Sequence, residues 1–280
     1  MSVRLANAQG RAVLVVGEHI ADVANASSGR FTADPMAALA RWDEFAAWAA
    51  GVGAAAATAP LDEAALGAPV PRPAKVFAIG LNYKTHAQES GMALPTKPLV
   101  FTKFQNCLCG PRAAVQLSSG YVDWEVELVV VIGRRGKAIS EAQALDYVAG
   151  YTVGQDISDR KLQFSDQPPQ FSISKSLDTF GPLGPAVVSL DSLADPNDLA
   201  LTCHVDGEQM QSARTSDMVF GVPPLIAYLS GLCTLEPGDI IFTGTPAGVG
   251  SARQPRRYLK AGETIVSTIE GIGTLTNTCV

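Results

Sequence analysis

Of 280 residues, 47% are apolar and 17% charged, which excludes a disordered chain and allows one large core, or a large domain plus a small one. A formal net charge of −6 excludes the basic stripe of a nucleic-acid binder, and no apolar run approaches the ~20 residues that cross a bilayer. Five scattered cysteines, with only Cys107 and Cys109 close together, lack the second ligand pair of a structural zinc site and are expected as buried free thiols. With no signal peptide in the opening residues, the expected location is a reducing cytoplasm.

Residues 1 to about 33 alternate short apolar runs with Gly, Asn and Ser and are expected to form small strands. Over residues 35–58 the spacing of Leu39, Trp42, Phe45, Ala46 and Trp48 predicts one helical face, broken near Gly51 and Gly53. The stretch 59–73, with Pro69, Pro71 and Pro73, reads as a linker. It sets a boundary between a small N-terminal α/β domain with its linker (1–73) and a larger domain (74–280). From Lys75 the pattern turns to β. Residues 76–80 and 98–103 read as strands, the first delivering the segment 82–86 into a loop or helix start. Residues 123–132 open on carboxylates, continue as a β-branched run and turn at 133–136. Ser140 is expected to cap a short helix, and 171–180 alternates like a strand. Asp206-Gly207 marks a hairpin, and 222–232 reads as a helix with Pro223 and Pro224 in its first turn. Residues 239–244 form a strand that runs into a glycine-rich loop, and the last twenty residues read as two more strands. Many strands with few helices predict an α+β, mainly-β roll.

In a strand, residues two apart share a face, so Glu125 and Glu127 project together. Like charges beside an apolar run need compensation, and a hard divalent cation supplies it through oxygen ligands. Asp156, ending the next apolar segment, adds a third carboxylate. Spacing alone also admits a solvent-facing strand start. His86 and Glu89, three residues apart, share a helix face, so the carboxylate can orient the imidazole as a general base; the alternative is a surface ion pair. Lys175, if it faces the carboxylates, would hold an anionic substrate or stabilise an enolate; a snorkelling surface lysine is the plainer reading. Arg160 offers a bidentate carboxylate clamp or is an ordinary turn arginine. The loop 244–250 lacks the Lys-Ser/Thr of a phosphate loop, and offers its amides and the Thr245 hydroxyl to a small anion. The pairs Arg134-Arg135 and Arg256-Arg257 read as solvated turn charges, and Asp159, Asp166, Asp178 and Cys107 as structural or exposed. Residues 163–171 read as a mobile lid or an ordered proline turn. No serine-hydrolase elbow, H-E-x-x-H or dinucleotide fingerprint occurs.

Taken together, the segments 79–86, 123–127, 150–158, 175–185, 215–218 and 235–250 resemble the fumarylacetoacetate hydrolase family, in order and with compatible spacing over roughly residues 75–280. The resemblance implies a mixed β-sandwich roll whose central cleft holds Mg2+ or Mn2+, in a homodimer. It implies Glu125, Glu127 and Asp156 as metal ligands and His86 with Glu89 as the water-activating pair. Lys175 becomes the electrostatic and proton-transfer lysine, with Arg160, Gln163 and Thr245 at the substrate carboxylate. The chain departs from the family pattern after the second strand (Lys103-Phe104-Gln105-Asn106), at Phe171 and at Asp159, which bears on the far end of the substrate.

The implied activity is metal-dependent hydrolysis of a carbon–carbon bond in a 2,4-dioxo acid, such as an acylpyruvate or a 2,4-diketo-3-deoxy sugar acid, releasing pyruvate or a related 2-oxo acid. The same enolate chemistry serves an oxaloacetate decarboxylase or an isomerase or decarboxylase of a 2-hydroxy-diene-dioate. A non-catalytic metal- or ligand-binding protein is the alternative from another class. The expected partner is a small 2-oxo or 2,4-dioxo acid, with no nucleic acid and no membrane.

Overall fold

Seven consecutive buried residues, Val126–Ile132, set the architecture. In the computed structural model, which describes residues 3–280, this strand lies inside a twelve-stranded sheet between Val148–Gln155 and Ile240–Phe242. A strand covered on both faces needs apolar side chains on both, so the run does not alternate. Val126, Leu128, Val130 and Ile132 join one core with Leu201, Cys203, Ile265 and Leu275 of a second, four-stranded antiparallel sheet. Val129 and Val131 point the other way, into a core shared with Leu5, Leu14, Leu39 and Phe45. Glu127 belongs to that second face, at the end where the strand begins.

The large sheet runs from Ala59–Pro60 through His19–Asp22, Arg11–Val16 and Arg4–Ala8 to Gly181–Val188, then Val148–Gln155, Val126–Ile132, Ile240–Phe242, Val76–Gly80 and Leu99–Thr102. Leu66–Gly67 and Leu108–Cys109 attach beside it. The sheet is continuous across residue 73, because Arg4–Ala8 pairs antiparallel with Gly181–Val188, Leu5 opposite Val187. The N-terminal residues therefore cover the second face of the central strands. Each fully buried Leu or Phe in that cover contributes about 1.5–3 kcal/mol. The stretch expected as a linker takes part: its two short strands pair with the N-terminal hairpin, and Val70 is fully buried. No helix among the described residues is long and apolar enough to cross a membrane.

Most expected elements form where the pattern puts them, including the two C-terminal strands Thr264–Ile269 and Gly273–Thr278 and the helix Val222–Leu232. The Asp206-Gly207 turn has both residues at positive φ (48° and 81°), the conformation that joins twisted strands in two residues. Three local expectations change. The alanine-rich helix is two, Pro35–Ala40 and Trp42–Ala49, because Arg41 leaves helical geometry between them. Ser140 does not cap the following 3-10 segment Glu141–Tyr147, since its hydroxyl donates to the Gln143 side chain instead. The alternating segment around Lys175 is a helical turn, Phe171–Ser174, rather than a strand. Its geometry is set from outside: Lys103 binds the Lys175 carbonyl, and the Lys175 ammonium reaches two buried carboxylates.

Candidate active site

Three carboxylates meet where the central strands end. Glu127 is the second residue of Val126–Ile132, Glu125 lies just before that strand, and Asp156 follows the antiparallel neighbour Val148–Gln155. The pairing of Val126 with Gln155 brings these ends together, and the Asp156 amide donates to the Glu125 carbonyl at 2.9 Å. One oxygen from each of Glu125, Glu127 and Asp156 lies within 4.8 Å of the others, and the residues are 6%, 2% and 0% exposed. The solvent-facing reading of the pair is thereby removed.

Buried cations hold the cluster. The Lys175 ammonium donates to Glu125 Oε2 (2.7 Å), Asp156 Oδ2 (2.8 Å) and Ser158 Oγ (2.7 Å). Lys103, also buried, donates to Asp156 Oδ1 at 2.7 Å and to the carbonyls of Phe180 and Lys175. Arg160 forks between Asp123 Oδ1 (2.7 Å), Gln163 Oε1 (2.8 Å) and Glu125. Burial by itself would raise the Glu125 carboxyl, but Lys175 and Arg160 outweigh it and hold it at about 2. Among the described residues Glu127 has no cation at ion-pair distance; burial, Asp156 and Glu125 push it well above the usual carboxylate range, against one hydrogen bond of 2.7 Å from the Gly244 amide. Gly244 sits at φ +97°, where the turn brings that amide onto the carboxylate.

Four buried carboxylates (Asp123, Glu125, Glu127, Asp156) thus face three cations (Lys103, Arg160, Lys175), one positive charge short. An all-oxygen set with an uncompensated carboxylate fits a hard divalent ion such as Mg2+ or Mn2+. With that ion the cluster would carry a positive balance, suited to an anionic ligand.

The second group of residues arrives on the helix Lys84–Glu89. Asn82, fully buried, fixes its approach: its amide donates to the carbonyls of Phe220 and Thr243, and its oxygen accepts from the Phe220 amide. His86 Nδ1 meets Glu89 Oε1 at 2.7 Å, and Glu89 Oε2 accepts from the Gly248 amide at 2.9 Å. With Nδ1 engaged, Nε2 is the nitrogen that can exchange a proton with a ligand.

A cavity of about 570 Å3 collects these groups: His86, Glu125, Glu127, Arg160, Gln163, Lys175 and Thr245 line it. Asp156 lies beneath, and Glu89 stands behind His86 on the wall of an adjoining cavity. The residues expected at a substrate carboxylate are already engaged. Arg160 and Gln163 bind each other, and the Thr245 hydroxyl donates to the Val126 carbonyl and accepts from Gln211. The 163–171 segment closes on itself through a Gln170 amide to Gln163 carbonyl bond of 2.9 Å, and Phe164, Pro169 and Phe171 line the cavity. Asp159 is structural, capping Arg160–Gln163.

Lys103, Asp123, Ser158 and Gln211 also build the site, although their sequence context assigns them no role there. Only Lys103 had a local signal, a lysine closing the apolar strand Leu99–Thr102. The others become visible only through their partners, Asp123 at Arg160, Ser158 at Lys175 and Gln211 bridging Val126 and Thr245.

Residues 75–280 match the fumarylacetoacetate (FAA) hydrolase C-terminal family model. Oxaloacetate tautomerase FAHD2A, mitochondrial, of Bos taurus is 46% identical over 223 residues, covering 79% of this chain and 71% of that one. A crystal structure of a Mycobacterium smegmatis protein is 48% identical with a TM-score of 0.95, covering 99% of both chains. Maleylpyruvate hydrolase from Sphingobium sp. SYK-6, in complex with manganese(II) and pyruvate, is 29% identical with a TM-score of 0.82, covering 99% of this chain and 98% of that one. Fold, motif order and buried carboxylate set agree with a match over most of the chain, and the protein belongs to the fumarylacetoacetate hydrolase family.

Proposed function

We propose that the protein moves a proton at the carbon beside the oxo group of a 2-oxo acid, keto–enol tautomerisation of oxaloacetate being the simplest case. The observation that carries this reading is the convergence of the carboxylate trio, Lys175 and the His86–Glu89 pair on one cavity. Similarity to an oxaloacetate tautomerase supports it. When bound by Glu125, Glu127 and Asp156, Mg2+ or Mn2+ supplies Lewis-acid polarisation of the oxo group. His86, oriented by Glu89, takes the proton from carbon through Nε2 and returns it to carbon or oxygen. Lys175 holds positive charge beside the oxygen that becomes negative.

A second reading, hydrolysis of a 2,4-dioxo acid to pyruvate, is favoured by the cavity's apolar walls at Leu99, Phe101 and Phe171, which a four-carbon acid does not need. There His86 would deprotonate water for attack on the distal carbonyl. Incubation in D2O with Mg2+ tests both. Deuterium entering C3 of oxaloacetate faster than in buffer, without loss of carbon, is expected. Pyruvate formation from an acylpyruvate with slow exchange on oxaloacetate moves the assignment to hydrolysis. Ligand-induced stabilisation with neither reaction overturns both and leaves a binding protein.

A further inference from the structure

Both permanent cations on the wall of the active-site cavity are committed. Arg160 faces Asp123, Glu125 and Gln163, and Lys175 faces Glu125, Asp156 and Ser158. A substrate's 2-oxo acid end has a place at the carboxylate trio once a divalent ion is bound. A second carboxylate further along would meet apolar side chains, and desolvating it there is costly.

The unspent charge lies next door. A cavity of about 720 Å3 shares Ser90, Arg160, Phe164 and Ser251 with the first, so the two meet along one wall. It is lined by Lys161 and Arg256, both exposed and neither in an ion pair among the described residues. Arg257, by contrast, is spent on Glu263. Lys161 follows Arg160 on the same helical turn; Arg160 lines both cavities and Lys161 the second. The carboxylate on the same wall, Glu89, is occupied by His86 and the Gly248 amide.

We infer that Lys161 and Arg256 form an anion subsite that receives the second carboxylate of an extended 2-oxo dicarboxylate, whose reacting end lies at Glu125, Glu127 and Asp156. This deepens the proposed function and rests on its placement of the reacting end. Cavities of about 300–1,000 Å3 hold drug-sized ligands, so each of the two exceeds the needs of a four-carbon acid.

Two six-carbon probes isolate the terminal charge: 2-oxoadipate and 2-oxohexanoate, titrated calorimetrically into the full chain with Mg2+ present. The wild type is expected to bind 2-oxoadipate about tenfold more tightly, the effect of one charge-assisted contact. The Lys161→Gln/Arg256→Gln variant, altered only at exposed positions, should lose that preference and bind 2-oxohexanoate as before. Equal affinity for the two acids in the wild type, or a preference that survives the double substitution, overturns the subsite. Deuterium exchange at C3 on the same samples reports the proton-transfer reading separately. Diacid-selective binding that depends on Lys161 and Arg256 without exchange keeps the subsite and rejects that reading, whereas exchange without selectivity does the reverse.

Discussion

Replacing Lys103 with Met removes a buried cation while keeping most of its volume. Lys103 is 3% exposed, and its ammonium donates to Asp156 Oδ1 at 2.7 Å, to the Phe180 carbonyl at 3.1 Å and to the Lys175 carbonyl. After the change, fully buried Asp156 keeps Lys175 at Oδ2 and the Phe180 carbonyl keeps the Ile157 amide at 3.1 Å, but Asp156 Oδ1 and the Lys175 carbonyl lose the Lys103 donor. Taking one partner from a buried ion pair costs about 3–5 kcal/mol, and the surviving Lys175 contact sets the expectation near the lower end, about 3 kcal/mol. For a chain of this size that is roughly 6–12 °C in Tm. Urea unfolding in chelator measures it, and Asp156→Asn completes a double-mutant cycle. With the facing charge neutralised, Lys103→Met should cost at least about 1 kcal/mol less than in the wild type. A loss below about 1 kcal/mol, or strictly additive effects, would refute the claim that Lys103 holds Asp156 in place.

His86→Ala should lower kcat by about 10²–10⁴-fold while Mn2+ binding, followed by calorimetry, stays intact; a fully active variant removes His86 from the proton-transfer step. Chelation should abolish turnover and added Mg2+ or Mn2+ restore it, whereas activity that persists in chelator rejects the metal-dependent reading. In chelator, Glu125, held at about 2 against an ordinary 4.5, contributes stability that is full above about pH 4.5 and lost as pH falls toward 2. Glu127 is shifted upward, so apo stability falls as pH rises from 4.5 through its folded value, and a metal must displace its proton. Mn2+ affinity should therefore strengthen with rising pH in the wild type and lose most of that dependence in Glu127→Gln; a flat wild-type profile contradicts the assignment. Gly248→Ala places a Cβ 2.1 Å from the Met210 carbonyl at φ +105°. It should cost about 1–3 kcal/mol and lower kcat, because the same backbone donates to Glu89. Unchanged stability and rate would show that this loop does not position Glu89.

The twin carboxylates at 125 and 127 and the i,i+3 pair His86–Glu89 were legible as pairs sharing a face, because local period fixes that much, and Asp156 only as a third carboxylate closing the next apolar segment; whether they face a buried site or solvent was not. The central strand was legible, its unbroken apolar run following from burial on both faces. The sheet's passage through residue 73 was not legible, because proline-rich composition marks a linker whether or not its flanks pair with distant strands. Nor was the turn at Lys175, where alternation suggested a strand and contacts from Lys103, Glu125 and Asp156 imposed another backbone. Arg160 shows the same limit. Its position four residues after Asp156 suggested a hand for substrate, whereas the fold gives that hand to Asp123 and Glu125. The sequence by itself determined which residue types are present for the chemistry and which close neighbours, Glu125 with Glu127 and His86 with Glu89, share a face. Which charges neutralise one another, and which are left for a ligand, only the tertiary structure decided, since Coulomb energies in a buried site depend on distances between residues far apart in the chain.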